Sequence, residues 1–280
     1  MNKTNIEWVK NPDGTHGYTW NPITGCLNHN NGMCKGGGFP CYAYRLANGR
    51  LKERYLANSN YPETERYQRV PFYPRFWPER LEPIGLTGGK KRPHSYGYLG
   101  GFKEHKPKGI FVCDMGELFG DWIPEDWQQQ IFEVIKTNPY HRFYLLTKQP
   151  QNLIKFSPFP ENCWVGVTAT RGRFYPEAMN ALLNIDAKIK YLSIEPCLGP
   201  MPYNFSFKGL DWLIIGAQTR PYKPPAIEHV KEIVEVADRA GIPVFLKDNL
   251  RTLILDSLAR HEIDRPHFLS NGGLRQEMPV

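Results

Sequence analysis

The sequence has 280 residues, with 35 Lys or Arg and 28 Asp or Glu, so its formal net charge is +7. Apolar residues form 41% of the chain and charged residues 22%, which excludes a wholly disordered protein. The sequence contains neither a run of roughly 20 apolar residues nor the apolar core of a signal peptide. We therefore expect a cytoplasmic protein without a membrane partner.

The N-terminal part of the chain combines one predicted strand with a helix and an irregular stretch. Residues 18–24 are predicted to form the first strand and residues 42–58 a helix, although Gly49 weakens the helical pattern. Frequent prolines and glycines exclude long regular elements from residues 59–108. We expect an irregular insertion there, with one helical turn at residues 78–81.

Beyond residue 108, apolar runs alternate with amphipathic segments. Strands are predicted at 109–114, 142–147, 163–168, 189–194, 212–215 and 244–246, and helices at 124–137, 176–184 and 226–240. With the first strand this makes seven strands, which alternate mostly with helices or short crossovers. Such a pattern is typical of an α/β fold with a parallel sheet. It favours a full or partial (β/α) barrel of the TIM type, while an open doubly wound sheet remains the alternative.

The domain organisation follows from this pattern. We expect residues 1–250 to form a single barrel domain, with residues 59–108 as its insertion and residues 251–280 as a C-terminal extension.

Positive charge is concentrated in residues 42–108. This stretch has 14 Lys or Arg and 6 Asp or Glu, a net charge of +8, whereas the remainder has 21 and 22, a net charge of −1. Lysines and arginines neutralise a phosphate backbone and aromatic rings stack on bases, so the stretch is a candidate nucleic-acid interface. The alternative is that its rings pack beneath the insertion and its charges are merely solvated. The aromatic residues concerned include Tyr55, Tyr61, Tyr67, Phe72, Tyr73, Phe76, Trp77, Tyr96 and Tyr98.

Polar residues follow the predicted strands. Chemistry in a (β/α) barrel gathers at the C-terminal ends of the strands, so these side chains are expected to line one pocket for a polar ligand. For any one of them, an ordinary loop or capping role is the alternative. In strand order the residues are Cys26; Asp114, Met115, Gly116 and Glu117; Thr147 and Lys148; Thr168 and Thr170; Glu195; Gln218; and Lys247 and Asp248.

Three cysteines, Cys26, Cys34 and Cys41, follow the first strand in a loop rich in glycine and asparagine. Such thiolates can hold a [4Fe–4S] cluster with one open iron, or a zinc ion with His29 as a fourth ligand. A loop without metal is the third possibility. The remaining cysteines, Cys113, Cys163 and Cys197, lie in or beside apolar strands, where buried thiols are common.

Short motifs throughout residues 4–250 resemble a known family. They include Thr4-Asn-Ile-Glu-Trp8, Tyr18-Thr-Trp-Asn-Pro-Ile-Thr-Gly-Cys26, Cys41-Tyr-Ala43, Trp77-Pro-Glu-Arg-Leu81, Phe111-Val-Cys-Asp-Met-Gly-Glu-Leu-Phe-Gly120, Leu145-Leu-Thr-Lys-Gln-Pro150, Trp164-Val-Gly-Val167, Leu192-Ser-Ile-Glu-Pro-Cys-Leu-Gly-Pro200, Leu210-Asp-Trp-Leu-Ile-Ile-Gly216 and Gly241-Ile-Pro-Val-Phe-Leu-Lys247. In this order they resemble a phage-associated radical SAM-like family of unknown function that carries a three-cysteine motif. The cysteine spacing here, C-x7-C-x6-C, is wider than the C-x3-C-x2-C of most radical SAM enzymes.

The resemblance implies a partial TIM-type barrel of the radical SAM kind. It implies that Cys26, Cys34 and Cys41 hold a [4Fe–4S] cluster whose open iron is chelated by S-adenosylmethionine, and that an external electron donor reduces it. The cofactor contacts implied by strand position are Met115, Gly116 and Glu117 at its methionyl amine, Thr168 and Glu195 at its ribose or carboxylate, and Gln218 at the sixth strand end.

The function expected from these observations is a radical SAM enzyme that acts on nucleic acid or a nucleotide-like substrate. The alternatives are a zinc-stabilised nucleic-acid-binding protein without enzymatic activity, and a radical SAM enzyme for a small molecule or peptide. Cys113 and Cys197 are weak candidates for hydrogen-atom donors, with burial in the core as the alternative. Lys148 and Lys247 are weak candidates for pairing with a carboxylate or phosphate, with solvation as the alternative.

Overall fold

The computed structural model describes residues 1–58, 69–81, 106–270 and 272–279. Most of the predicted insertion, residues 59–68 and 82–105, therefore lies outside the described residues, and with it Tyr61, Tyr67, Tyr96 and Tyr98. No helix in the described part of the chain is long and apolar enough to cross a membrane.

The described chain folds into short N-terminal strands followed by regular β/α units. In chain order the strands are β1 (Asn2–Lys3), β2 (Tyr18–Trp20), β3 (Ile23–Thr24), β4 (His29–Asn30), β5 (Met33–Cys34), β6 (Arg75–Phe76), β7 (Gly109–Val112), β8 (Arg142–Thr147), β9 (Cys163–Thr168), β10 (Ile189–Ile194), β11 (Trp212–Ile215), β12 (Gln218–Thr219), β13 (Tyr222–Lys223), β14 (Val244–Leu246), β15 (Leu269–Ser270) and β16 (Gly273–Leu274). The helices are α1 (Tyr42–Ala47), α2 (Lys52–Leu56), α3 (Glu125–Lys136), α4 (Tyr175–Leu183), α5 (Ile227–Ala240), α6 (Arg251–Ala259) and α7 (Arg265–Phe268), with 3₁₀ turns at Pro78–Arg80, Pro150–Phe156, Gly172–Phe174 and Asp248–Leu250.

Within the described residues, one eight-stranded sheet has the order β1-β2-β7-β8-β9-β10-β11-β14. Strand β1 pairs antiparallel with β2, and every later neighbour pairs parallel. The parallel strands follow one another in chain order without a reversal, unlike the strands of a doubly wound sheet, which extend in both directions from a switch point. Strands β1 and β14 do not pair with each other in the described chain, so the sheet stays open between its two edges.

The sheet is strongly curved around the indole of Trp8. The Trp8 ring centroid lies 5.0 Å from that of Phe111 on β7, 5.7 Å from Tyr144 on β8, 6.0 Å from Tyr191 on β10 and 6.2 Å from Trp212 on β11. Four strand spacings separate β7 from β11, about 19 Å in a flat sheet. One side chain reaches both strands because the sheet wraps around it, and this curvature turns the strand ends toward one another.

The two faces of the sheet bury different side chains. The concave face holds the aromatic cluster around Trp8, while the convex face packs aliphatic residues such as Val165, Leu192 and Leu213 against the helices. Residues that alternate along each strand divide between the two faces, as expected for strands buried on both sides. Helix α5 also buries one face: Val230, Val234 and their neighbours point toward the core. Gly241 ends the helix with a φ of +67°.

Five predicted strands, at 142–147, 163–168, 189–194, 212–215 and 244–246, have the predicted bounds. Two N-terminal predictions are wrong. Residues 18–24 form two strands instead of one, because Pro22 cannot donate to the ladder, and β3 pairs with β6 rather than with β7. Residues 42–58 form α1 and α2 separated by a turn that contains Gly49, as the weakness of the pattern at this glycine had indicated.

Several described aromatic residues of the basic stretch 42–108 are core residues. Tyr55, Phe72 and Trp77 are buried together with Met115, and Phe76 stacks on Trp127. These rings cannot stack on bases, so for them the packing interpretation is correct. The charge of Arg75 is likewise buried, and its guanidinium donates to the carbonyls of residues 70 and 71.

The C-terminal residues cover the open edge at β14. The Leu246 amide donates to the Arg275 carbonyl at 2.8 Å, and the Glu277 amide donates to the Val244 carbonyl at 3.0 Å. The Trp212 indole donates to the Glu277 carbonyl at 2.9 Å, which ties the tail to the concave face. Covering an edge strand in this way removes a surface on which other chains could pair.

Candidate metal and cofactor site

The three clustered cysteines lie in one loop, residues 25–41, which we call the cysteine loop. It begins beside the end of β7: the Gly25 amide donates to the Met115 carbonyl at 2.9 Å, and Gly25 pairs with Gly116 in a parallel bridge. Gly25 has a φ of +88°, and a side chain there would collide with the backbone of Tyr73. The chain thereby places Cys26 directly above the β7 end.

Further contacts hold the cysteine loop across the ends of β8 and β9. A Cβ on Gly36 would lie 2.9 Å from the Lys148 carbonyl oxygen, so the loop backbone packs closely on the β8 end. The Thr170 hydroxyl donates to the Gly37 carbonyl at 2.7 Å, which fixes the loop to the segment after β9. The loop ends at Cys41, the N-cap of α1. The cysteines are thus held over the carboxyl ends of three consecutive strands.

All six cysteines are described, and all are free thiols. In the cysteine loop each sulfur faces backbone N–H groups: Cys26 Sγ accepts from Asn28 at 3.2 Å, Cys41 Sγ accepts from Tyr44 at 3.5 Å, and Cys34 faces the amides of residues 36 and 37. Such hydrogen bonds stabilise a thiolate and tune iron–sulfur clusters.

Burial and neighbouring groups raise the pKa of two of the three loop thiols. Burial raises the pKa of the Cys26 thiol, and repulsion from Glu117, Cys34 and Cys41 adds to the effect. Burial also raises the pKa of Cys34, against the opposing influence of Lys148. The three sulfurs therefore interact with one another, and a positive metal centre would offset both the burial and the mutual repulsion of the thiolates.

The three loop cysteines are of a residue type that can hold either kind of metal centre. An iron–sulfur cube binds each cysteine through a different iron, whereas a zinc ion needs four ligands around one point. Among the residues that the structure describes, no group of three His, Cys, Asp or Glu side chains is arranged around one metal ion.

His29, the predicted fourth zinc ligand, is engaged within the loop. Its Nδ1 accepts the Gly32 amide at 3.3 Å, and its ring lies 4.8 Å from the ring of Tyr44 and 5.5 Å from that of Phe72. These contacts give His29 a structural role in shaping the loop.

The predicted cofactor-binding segment Met115-Gly116-Glu117 lies beside Cys26. Met115 packs in the same cluster as the loop cysteines, and Gly116 allows the Gly25 carbonyl to approach within 3.1 Å of where its Cβ would be. The buried Glu117 carboxylate accepts from the Thr147 hydroxyl at 2.7 Å and from the Lys148 amide at 3.1 Å. Burial raises the pKa of Glu117, while these hydrogen bonds oppose the shift.

A buried ion pair joins the ends of β10 and β14. The Lys247 ammonium contacts the Glu195 carboxylate, and a Cβ on Gly216 would collide with the Lys247 side chain, so glycine makes room for the pair. Glu7 approaches from the N-terminal segment, where its carboxylate accepts the Asp248 amide at 2.6 Å. Burial alone would lower the pKa of Lys247, but the neighbouring carboxylates outweigh it and raise the pKa.

The other predicted positions differ in their surroundings. Thr168 is buried at the β9 end, and its hydroxyl has no hydrogen-bond partner in the described part of the chain. Gln218 belongs to the β12–β13 hairpin, and its amide donates to the Pro221 carbonyl at 2.9 Å.

Comparison with known protein families decides the relationship of this chain. Residues 3–259 match the family described as protein of unknown function DUF5131. The chain belongs to the DUF5131 family. Comparisons with curated proteins and with solved structures gave no match.

The remaining cysteines of this DUF5131 member are core residues. Cys113 and Cys197 are buried in the main apolar cluster, and Cys163 begins β9 at the opposite end of the sheet from the cysteine loop. Burial raises the pKa of Cys113, and that of Cys197 to about 11. These surroundings favour the core interpretation over hydrogen-atom donation.

The structure of the DUF5131 member also reveals site residues that sequence reasoning missed. Asn21 links two parts of the β7 end: its Nδ2 donates to the Asp114 carboxylate at 2.6 Å, and its Oδ1 accepts the Met115 amide at 2.9 Å. Tyr42, next to the last loop cysteine, donates its hydroxyl to the Asp114 carbonyl while 44% of the residue remains exposed. Asn249 clamps both backbone groups of Ala217 at 2.9 Å. Only the adjacency of Tyr42 to Cys41 was a signal visible in the sequence.

Proposed function

We propose that this protein is a radical SAM-type iron–sulfur enzyme that acts on nucleic acid or a nucleotide-like substrate. The observation that carries the proposal is the position of Cys26, Cys34 and Cys41 in one loop, held over the carboxyl ends of consecutive parallel strands that curve around Trp8. The resemblance to a phage-associated radical SAM-like family points in the same direction, and so does the barrel-like order of the strands.

In this proposal Cys26, Cys34 and Cys41 would hold a [4Fe–4S] cluster. With S-adenosylmethionine and one electron from an external donor, such a cluster would supply a 5′-deoxyadenosyl radical, together with methionine, for hydrogen abstraction from the substrate. The N–H groups of the loop stabilise the thiolates. Met115, Gly116 and Glu117 lie next to Cys26, where the methionyl amine would bind, while Glu117 also holds the β8 end in place.

The protein surroundings then define the rest of the reaction chamber. The exposed ring of Tyr42 and the Glu195–Lys247 ion pair lie along the mouth. Burial of the Tyr42 hydroxyl, with repulsion from Asp114 and Cys41, raises its pKa well above the ordinary value. Tyr42 is therefore neutral and serves as a flat surface and hydrogen-bonding group. Nucleic acid is the favoured substrate because residues 42–108 have a net charge of +8.

The test is metal and sulfide analysis of protein purified without oxygen, with electron paramagnetic resonance before and after addition of S-adenosylmethionine. We expect about four irons per chain and a reduced-state spectrum that changes with the cofactor. Cys34→Ala should lose the signal, whereas the control Cys163→Ala, at the other end of β9, should keep it. About one zinc and no iron, or no metal at all, would overturn the proposal.

The substrate class is tested separately, by binding of single-stranded and duplex nucleic acid at increasing salt. Contacts to several phosphates predict an affinity that falls steeply between about 50 and 200 mM salt. An affinity that is flat with salt would contradict a nucleic-acid substrate and favour the small-molecule or peptide alternative.

A further inference from the structure

A pocket of about 190 Å³ lies beside the cysteine loop, between the ends of β8 and β9. It is smaller than the roughly 300–1,000 Å³ typical of sites that enclose a whole drug-sized ligand, so it suits a single chemical group. Lys35 from the loop, Lys148 from the β8 end and Thr168 from the β9 end contribute to its lining. The exposed Glu177 contributes a carboxylate at the rim.

Two lysines and one glutamate line the pocket, so its lining carries a net positive charge. In the part of the chain that the structure describes, neither Lys35 nor Lys148 forms a salt bridge. Two arginines approach from the segment after β9: a terminal nitrogen of Arg171 and one of Arg173 each lie 3.4 Å from the position that a Gly38 Cβ would occupy.

Two polar groups at this place await a partner. Thr168 is 3% exposed, lines the pocket, and its hydroxyl forms no hydrogen bond with any described residue. The Nε of Arg171 is also buried without a partner in the described chain. Buried polar groups are nearly always satisfied, so the Thr168 hydroxyl in the pocket wall points to a bound group that accepts hydrogen bonds. The Arg173 guanidinium lies 4.6 Å from the ring of Phe174, a residue of the pocket wall.

We propose that this pocket binds a phosphate group of the substrate. Lysine and arginine side chains together with a hydroxyl donor match a phosphate's several acceptor oxygens and its negative charge. The inference rests on the proposed function for its choice of a nucleotide or nucleic acid as the phosphate source. It adds a binding site on the cysteine-loop side of the mouth, apart from the basic stretch at residues 42–108.

The test is calorimetric titration of the full-length protein with inorganic pyrophosphate. Thr168→Val, Lys148→Gln and Lys35→Gln should each weaken binding by roughly tenfold, because each removes one hydrogen bond to a charged group. Lys136→Gln, at the C-terminal end of α3 and hence at the opposite end of the sheet, is the control and should bind like the unmodified protein. Absence of pyrophosphate binding, or equal losses in the control, would overturn the proposal.

A stability measurement distinguishes binding from structure for Thr168. Its hydroxyl has no partner to lose, so Thr168→Val should leave the urea midpoint unchanged or raise it while weakening pyrophosphate binding. A lowered midpoint together with unchanged pyrophosphate affinity would contradict a role in binding.

Competition experiments identify the source of the phosphate. Displacement of pyrophosphate by a short single strand, with a salt slope that falls by about 0.7 in Lys35→Gln, supports a nucleic-acid backbone. Displacement by a nucleoside diphosphate without strand binding supports a free nucleotide. Displacement by S-adenosylmethionine instead would assign the pocket to the cofactor's carboxylate and overturn the proposal. Iron analysis on the same preparation separates the two ideas, since iron-free protein that still binds pyrophosphate would overturn the proposed function alone.

Discussion

Replacement of Trp8 by alanine tests the curvature of the sheet on which the site depends. The indole is 2% exposed and is surrounded by rings from β7, β8, β10 and β11. A buried tryptophan removes about 150–250 Å² from water, which at about 25 cal/mol per Å² corresponds to about 4–6 kcal/mol. Alanine recovers part of this, so we expect a loss of about 4 kcal/mol in the free energy of unfolding, within the range of about 3–5 for such truncations.

A second substitution at Trp8 measures the contribution of side-chain volume alone. The Trp8 indole nitrogen is buried and has no partner within the described chain, so Trp8→Phe removes volume but no hydrogen bond. We expect a smaller loss, about 1–2 kcal/mol, and Trp8→Phe remains measurable should Trp8→Ala fail to fold. The matched control is Trp122→Ala: Trp122 is half-buried at the edge of the convex cluster, and its loss should cost less than Trp8→Ala.

The assay is urea unfolding followed by far-ultraviolet circular dichroism, with thermal unfolding as a second measurement. At about 2.1 cal/mol/K of unfolding entropy per residue, a loss of 4 kcal/mol lowers the melting temperature of a chain of this length by roughly 7 °C. If Trp8→Ala costs less than about 1 kcal/mol, Trp8 does not join the strands, the sheet is flatter, and its strand ends do not converge on the cysteine loop.

Three other substitutions test the connections around the site. Lys247→Met should lower the free energy of unfolding in urea by about 3 kcal/mol, because it leaves the half-buried Glu195 unpaired. Since folding raises the pKa of Lys247, the stabilisation is present below the ordinary value of 10.5 and is lost only as pH rises through the higher folded value. An unchanged urea midpoint would contradict this role. Asp238→Asn should lower the free energy of unfolding by about 1–2 kcal/mol, because it removes the ion pair with Arg275 at 2.5 Å. Burial alone would raise the pKa of Asp238, but its hydrogen bonds outweigh burial and lower the pKa, so the difference in stability from the unmodified protein should shrink as pH falls below 3.8. A stability difference that grows in acid would refute this assignment. Thr170→Val should cost about 1–2 kcal/mol and speed the reaction of the loop thiols with a disulfide reagent, and equal reaction rates would show that its bond to the loop carbonyl does not restrain them.

The sequence allowed the later strands to be predicted because each is a short buried run flanked by turn residues, so that local composition determines both its type and its length. The prediction of one first strand was wrong at Pro22. There the chain pairs as β3 with β6, which is remote in sequence. The prediction of one helix at 42–58 was wrong in its middle, where the chain turns and buries Tyr55 against Trp77. In both cases a local breaker, Pro22 or Gly49, lies where the element ends, but the long-range contact that follows is not contained in any local pattern.

The candidate site shows the same division between local and long-range information. That cysteines and polar residues follow the strands is visible in the sequence, and the parallel order of the strands brings them to one edge. Their partners are not visible in the sequence. The Glu117 carboxylate accepts hydrogen bonds from the β8 end, and Lys247 pairs with Glu195 across the intervening strand β11. In the part of the chain that the structure describes, the Thr168 hydroxyl has no hydrogen-bond partner and neither Lys35 nor Lys148 forms a salt bridge, so these side chains remain available to a ligand. Individually they look like ordinary loop residues.

The pairing of charged groups at the strand ends determines where an anion is attracted. Acidic groups at the mouth are largely consumed by structure: Asp114 bonds to Asn21, Glu117 to Thr147, and Glu195 to Lys247. The basic groups on the cysteine-loop side are not paired in this way. A mouth with satisfied carboxylates and unsatisfied cations attracts anions to the side of the cysteine loop. If the proposed function holds, a phosphate bound there would place the attached sugar and base near the thiols, where the proposed hydrogen abstraction would occur.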